Sequence, residues 1–346
     1  MYQPGRATPH DTAPRVDDRG TPNGACRHRC PVRVRAQGAG IGLAQSGRVP
    51  IIEVPYAAYL SCGYNQFVEA CFLHWLSDGR QPNGMVLRMQ GFDEGVFGGH
   101  FHTANAPPVF GIPGLDVFAF SNGRDWSRGL RTALRHAAAG GVSMLLDSTS
   151  LLTRKHVVVS ARDDAWQFGY PDGQAELGAD DVIQYAHGAP YEEAVTVSAA
   201  SSTTGEASAV TNVTNGVGDP RGRGGGLAVV TYGNGVPKAL EAIRESGIAC
   251  DVIDVPLLSR CPDALPPLLR SQGYAGVLLV DACRQGAGPL PHLATHLCEA
   301  EAMPPRWRLL SAAPTYNPLG RTLTFISSEA IQEALSSLVK VRASLL

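Results

Sequence analysis

Apolar residues along this chain follow two alternating rhythms. Short, mainly apolar runs at 50–54, 86–88, 117–120 and 142–147 have the length of buried parallel strands. Between them, 64–79 sets Phe67, Val68, Cys71, Phe72, Trp75 and Leu76 on one stripe at helical spacing, with Gly79 as a stop. The stretch 123–141 repeats that pattern through Trp126, Leu130, Ala133, Leu134 and Ala137, and 37–47 reads as a close-packed helix of small residues. Strands alternating with helices predict a parallel sheet, whose ligands gather beyond the carboxyl ends of the strands.

The rhythm fades over 155–225, above all in the Ser/Thr/Gly-rich stretch 198–226, which predicts a flexible linker and a domain boundary. It returns as strand 227–232, helix 236–246 ending at Gly247, strand 248–254, a helix near 262–270, strand 277–281, helix 289–302, a strand at 307–310 and a last helix over 328–345. The expected fold class is therefore α/β with two parallel-sheet domains, 37–155 and 227–346, joined by an irregular segment over 156–226. Residues 1–36, rich in Pro, Gly and Arg and without a period, predict disorder or a misassembled reading frame. Their seven arginines suggest a transit peptide, but Asp11, Asp17 and Asp18 and the lack of an amphipathic face argue against one.

Nearly thirty residues without helical period separate the strands at 86–88 and 117–120, and a loop of that length inside a domain is usually functional or disordered. Phe97, Phe101, Val109, Phe110 and Ile112 make it too apolar for a solvated tail, so it reads as a packed active-site loop carrying His100 and His102. Three other motifs carry less. Gly233-Asn234-Gly235 after a strand, with Asp254 ending the next one, imitates a dinucleotide fingerprint, but Lys238 stands where the third glycine belongs. His292 and His296, at i and i+4, read as partly buried helix residues in the absence of a third ligand. The cluster Cys26, His28, Cys30 has a spacing unlike structural zinc sites and lies among cations.

Composition narrows the class. At 44% hydrophobic and 17% charged, the chain can bury a core; its net charge of −2 leaves no electrostatic footprint for nucleic acid, and no apolar run reaches a membrane span. Eight cysteines, mostly single within apolar segments, suit reduced and buried thiols of an intracellular protein better than a disulfide framework.

The segment 51-IIEVPYAAYLSCGYNQFVEAC-71 resembles the beta subunit of the decarboxylase component of 2-oxo acid dehydrogenases, the pyruvate and branched-chain type. Glu53, Tyr56, Tyr59 and Gln66 keep that family's pattern, with Asn65 in place of an acid; Arg88, the run His102-Thr103-Ala104 and Pro113-Gly114-Leu115 follow in its order. Residues 229–236 and 251–255 are similar to the transketolase-type C-terminal domain. The resemblance, over roughly 37–150 and 227–340, implies a thiamine-diphosphate-binding pyrimidine domain, N-terminally incomplete here, followed by a transketolase C-terminal-like domain. It implies thiamine diphosphate shared with an alpha subunit that also holds Mg2+, oxidative decarboxylation of a 2-oxo acid, and acyl transfer to lipoyl on an acyltransferase core. Implied roles fall on Tyr59 against the aminopyrimidine and on His102 as the catalytic residue, a histidine able to move protons near neutral pH. Glu53, Tyr56 and Arg88 are the further implied cofactor-site residues, and no metal ligand is implied on this chain. The compartment implied is the mitochondrial matrix or a bacterial cytoplasm. The family's activating Glu aligns with Arg33, and residues 1–52 contain no Glu. A catalytically inert paralogue and a nucleotide-binding oxidoreductase are the alternative readings.

Overall fold

Strand β1 (Ile51–Val54) illustrates how the first sheet is built: its side chains alternate, Ile52 and Val54 buried, Ile51 and Glu53 exposed, as an edge strand requires. The computed structural model describes residues 32–81, 83–92, 109–152, 154, 166–199, 226–315 and 325–343. The sheet has the order β1-β2-β4-β3, all parallel, with β2 at Met85–Gly91, β3 at Leu115–Phe118 and β4 at Val142–Ser148. Strand β4 is buried at all seven positions because it lies between two strands and under helices on both faces. Helix α1 (Val32–Gln45), a 3-10 segment (Ala57–Gly63) and α2 (Tyr64–Leu76) join the core formed by Ile52, Leu87, Met89, Met144 and Leu146. Helix α3 (Gly123–Ala138) packs with Val86, Phe118 and Leu145 on the other face. Asn122 caps α3 by accepting from Asp125 N at 2.9 Å, satisfying a backbone donor that the first turn leaves open.

After the short helix α4 (Thr149–Leu152), the chain supplies β5 (Val182–Tyr185) and β6 (Val195–Val197), then β7 (Leu227–Thr231), α5 (Gly235–Ser246), β8 (Cys250–Asp254), α6 (Leu265–Gln272), β9 (Gly276–Arg284), α7 (Leu290–Glu299), β10 (Trp307–Ala312) and α8 (Ser328–Ala343). The second sheet runs β10-β9-β7-β8-β5-β6. Its first four strands are parallel and the last two antiparallel. Gly247 ends α5 in the left-handed conformation, φ +67°, which a glycine adopts without steric cost.

The two sheets are stitched together. Beyond β8 the chain runs along the free edge of β3: Leu258 N donates to Val117 O at 2.7 Å and Ala119 N to Pro256 O at 2.9 Å. Both apolar cores draw residues from both sheets.

Four expectations need correction. Helix α1 begins at Val32, inside the stretch expected to be disordered. The segment expected to be irregular supplies β5 and β6, so the second sheet is not wholly parallel. On α2, Phe67, Ala70 and Cys71 are buried, whereas Phe72, Trp75 and Leu76 are 50%, 64% and 65% exposed; the apolar arc is wider than the single layer beneath it. His292 and His296 are exposed, because α7 buries Leu290, Leu293, Ala294 and Leu297 instead.

Candidate functional site at the strand ends

Parallel pairing puts Glu53 of β1 directly beside Arg88 of β2, and the register of β2 on β4 brings Asp147 within reach of the same guanidinium. Arg88 Nε donates to Asp147 Oδ2 at 2.7 Å, and Arg88 Nη1 lies 3.7 Å from Glu53 Oε1. Trp126 of α3 donates from Nε1 to Asp147 Oδ1 at 2.8 Å, and its ring lies 5.5 Å below the Arg88 guanidinium carbon. All four occupy the α3 face, where the alternation of β1, β2 and β4 sends Glu53, Arg88 and Asp147. Burial raises the Asp147 carboxyl above its usual range, against the attraction of Arg88.

The two tyrosines lie elsewhere. Tyr56 and Tyr59 follow β1 and meet edge to face, ring centroids 5.7 Å apart, and Tyr59 packs on the core of the opposite face, with α1 and α2. The structure thus brings Glu53 to Arg88 and Tyr56 to Tyr59. His100 and His102 lie outside the described residues, as does the side chain of Arg33. Sequence reasoning missed Asp147 and Trp126. An acid closing the apolar run 142–147 at its carboxyl end was the available signal for the first; nothing local marked the second.

The Gly233-Asn234-Gly235 turn is consumed by packing. Asn234 N donates to Ser148 Oγ at 3.2 Å, and a Cβ on Gly233, at φ +53°, would lie 2.8 Å from that oxygen. A Cβ on Gly235 would lie 2.1 Å from Thr231 Oγ1. Asp254, which the dinucleotide reading places on a ribose, is fully buried; it takes a 2.6 Å hydrogen bond from Ser121 Oγ, and its Oδ1 has no partner among the described residues. That reading is set aside, since the acid faces protein.

Burial drives the Asp254 carboxyl well above its usual range. A native state that holds this proton more tightly than the unfolded chain gains stability at low pH and loses it as pH rises above the ordinary carboxylate value of about 4. The stability advantage of Asp254→Asn over the parent in urea melts is expected to be larger at pH 8 than at pH 5; equal pH slopes for the two chains would show that this acid does not titrate in that window.

Burial pushes the Cys71 and Cys261 thiols up to about 12, which leaves both un-ionised and poor nucleophiles near neutral pH. Cys62 and Cys298 are exposed rather than buried as expected. Among the described residues no three metal-ligating side chains cluster, and no helix is long and apolar enough to cross a membrane.

No protein-family model matches the chain. Over 82 residues, 23% of its length, it is 34% identical to the mitochondrial 2-oxoisovalerate dehydrogenase subunit beta of Dictyostelium discoideum, of which the match spans 22%. Its fold is similar to that of a split-gene transketolase described as an inactive beta4 tetramer: 14% identity, TM-score 0.53, covering 89% of this chain and 81% of that one. A mutant transketolase from Pichia stipitis overlaps 85% of this chain with 34% of its own, at 11% identity and a TM-score of 0.49. The chain has the two-domain, transketolase-like α/β fold.

Proposed function

We propose that this chain is the beta-type subunit of a thiamine-diphosphate-dependent 2-oxo acid dehydrogenase, working in oxidative decarboxylation of a 2-oxo acid with acyl transfer to lipoyl. The observation that carries this reading is the 82-residue match at 34% identity to a 2-oxoisovalerate dehydrogenase beta subunit, joined to the transketolase-like fold. An alpha subunit would hold the diphosphate and Mg2+, since the chain has no GDG motif followed by a suitably spaced Asn. A lipoyl acyltransferase core would be the second partner.

The residues fit the cofactor only in part. The Tyr56–Tyr59 pair offers aromatic surface for a heterocycle. Activation of that heterocycle needs a carboxylate bonded to a ring nitrogen, and both carboxylates described beside Arg88 are already engaged: Asp147 by Arg88 and Trp126, Glu53 by Arg88. With Arg33 at the aligned acid position, we derive no chemical step through the cofactor.

That shortfall favours a second reading, a non-catalytic subunit that keeps the family's fold. Co-expression with the alpha subunit of a 2-oxo acid dehydrogenase separates the two. The first reading expects a stable complex, calorimetric binding of thiamine diphosphate with Mg2+, and 2-oxo-acid-dependent reduction of a dye, which His102→Asn lowers about 10²- to 10⁴-fold, the usual weight of a positioned acid–base group. The second expects the complex without cofactor binding. Failure to associate with such a subunit overturns both.

A further inference from the structure

We propose that the second sheet carries a separate binding site for a small planar organic anion, in the cleft between the 185–191 turn and helix α5. The cleft holds about 580 Å³, the size of a ligand pocket rather than of an ion site. Its inner wall is aromatic: Trp166 stacks on Tyr185 at 5.9 Å and lies 5.7 Å from Tyr191. Its rim is cationic, with Arg154, Lys238 and Arg244 against one acid, Glu241, among the described lining residues. Arg154 and Arg244 have no ion-pair partner among the described residues, although Glu241 stands on the same helix as Arg244.

A second feature points the same way. His187 also lines the cleft. The turn that presents it is fixed from behind. His187 N donates to Asp251 Oδ1 at 2.9 Å, while Tyr274 Oη and Gln184 Nε2 donate to Asp251 Oδ2 at 2.8 and 3.0 Å. A wall held this firmly is preformed, so a ligand would not have to order it.

An aromatic inner wall suits a planar aromatic body, two guanidinium groups without an ion-pair partner among the described residues select a carboxylate, sulfonate or phosphate, and the volume exceeds what an inorganic ion fills. The site does not rest on the thiamine-diphosphate reading, because its lining residues are other than Glu53, Arg88 and Tyr59.

Calorimetric titration of the full chain with naphthalene-2-sulfonate tests this. The expected result is saturable one-site binding, weakened at least tenfold by Arg244→Gln and further by Arg244→Glu, unchanged or tightened by Glu241→Gln, and at least tenfold weaker for the uncharged naphthalene-2-methanol. Arg244 is exposed at the end of α5, and circular dichroism checks that each variant keeps its fold. No saturable binding, equal affinity for the uncharged ring, or Arg244 variants that bind like the parent each overturn the proposal; the last would place the probe elsewhere, for instance on the exposed Phe72, Trp75 and Leu76.

Discussion

Gly84→Ala is expected to lower the melting temperature more than any other glycine-to-alanine change in the first sheet. A Cβ at this position would lie 1.6 Å from Ala137 O and 2.5 Å from its carbonyl carbon, both backbone atoms of the last turn of α3. Neither side can give way cheaply. Immediately after Gly84, Met85 N donates to Gly141 O at 3.2 Å and Val86 N to Pro50 O at 3.0 Å, which pins the entry of β2. Gly140 N, donating to the same Ala137 carbonyl at 2.9 Å, pins the end of α3. Overpacking against rigid backbone costs on the order of 3 kcal/mol. At about 2.1 cal/mol/K of unfolding entropy per residue, a 346-residue chain that melts as one unit shifts by roughly 1.4 °C per kcal/mol, so a drop of about 4 °C in a thermal melt is expected. Gly38→Ala is the control: no atom lies within 4 Å of its Cβ, it is exposed on α1, and about 0.5 to 1 kcal/mol of helix stability is gained. A Gly84→Ala chain that melts with the parent would mean that β2 and α3 do not approach as described.

The close approach at Gly84 is the kind of fact that a sequence conceals. What a sequence reveals well is continuous burial. Runs such as 142–147, 227–232 and 277–281 sit between parallel neighbours, covered on both faces, and their predominantly apolar character announces it. Strands β5 and β6 send no such signal. Val182-Ile183-Gln184-Tyr185 and Val195-Thr196-Val197 are short and lie among Gly, Ala and Pro; the first becomes a strand because the edge of β8 offers hydrogen bonds, the second because β5 then does. Helix α2 fails in the opposite direction. Its apolar residues satisfy helical spacing, yet spacing fixes only which of them share a face, and the sheet covers the Phe67–Cys71 side alone.

The site divides along the same line. Glu53 and Arg88 were named through the family resemblance, and parallel pairing delivers one to the other, as charges inside apolar strands require. Asp147 and Trp126 join them through a strand register and a helix position that are separated from Arg88 by 59 and 38 residues, so no local pattern connects them. The dinucleotide-like motif shows the converse hazard. Glycines at Gly233 and Gly235 are required, but by Ser148 and Thr231 rather than by a phosphate.

Arg88→Ala is expected to reveal how much of the first sheet hangs on one guanidinium. The Asp147 side chain is 3% exposed, and without Arg88 its one described side-chain partner is the Trp126 indole. Removing one member of a buried pair strands the other charge, at a cost of 3 to 5 kcal/mol when both are buried; with Arg88 34% exposed and its Glu53 contact in solvent, a loss of about 2 kcal/mol is expected at pH 7. The pH dependence identifies the cause. Burial already raises the Asp147 carboxyl and Arg88 opposes the rise, so Arg88→Ala drives it higher still. A raised folded value gives stability that is present at low pH and lost as pH increases, so the gap between variant and parent closes towards pH 4 and widens above it. Arg88→Lys falls between the two, because an ammonium keeps the charge but not the fork that reaches Asp147 and Glu53 together. Adding Asp147→Asn to Arg88→Ala removes the stranded charge while an amide oxygen still accepts from Trp126, so the double variant is expected to recover most of the lost stability in a urea double-mutant cycle. Additive losses in that cycle would mean that Arg88 contributes through its stem packed on Trp126, and that the polar cluster at the strand ends is not a coupled unit.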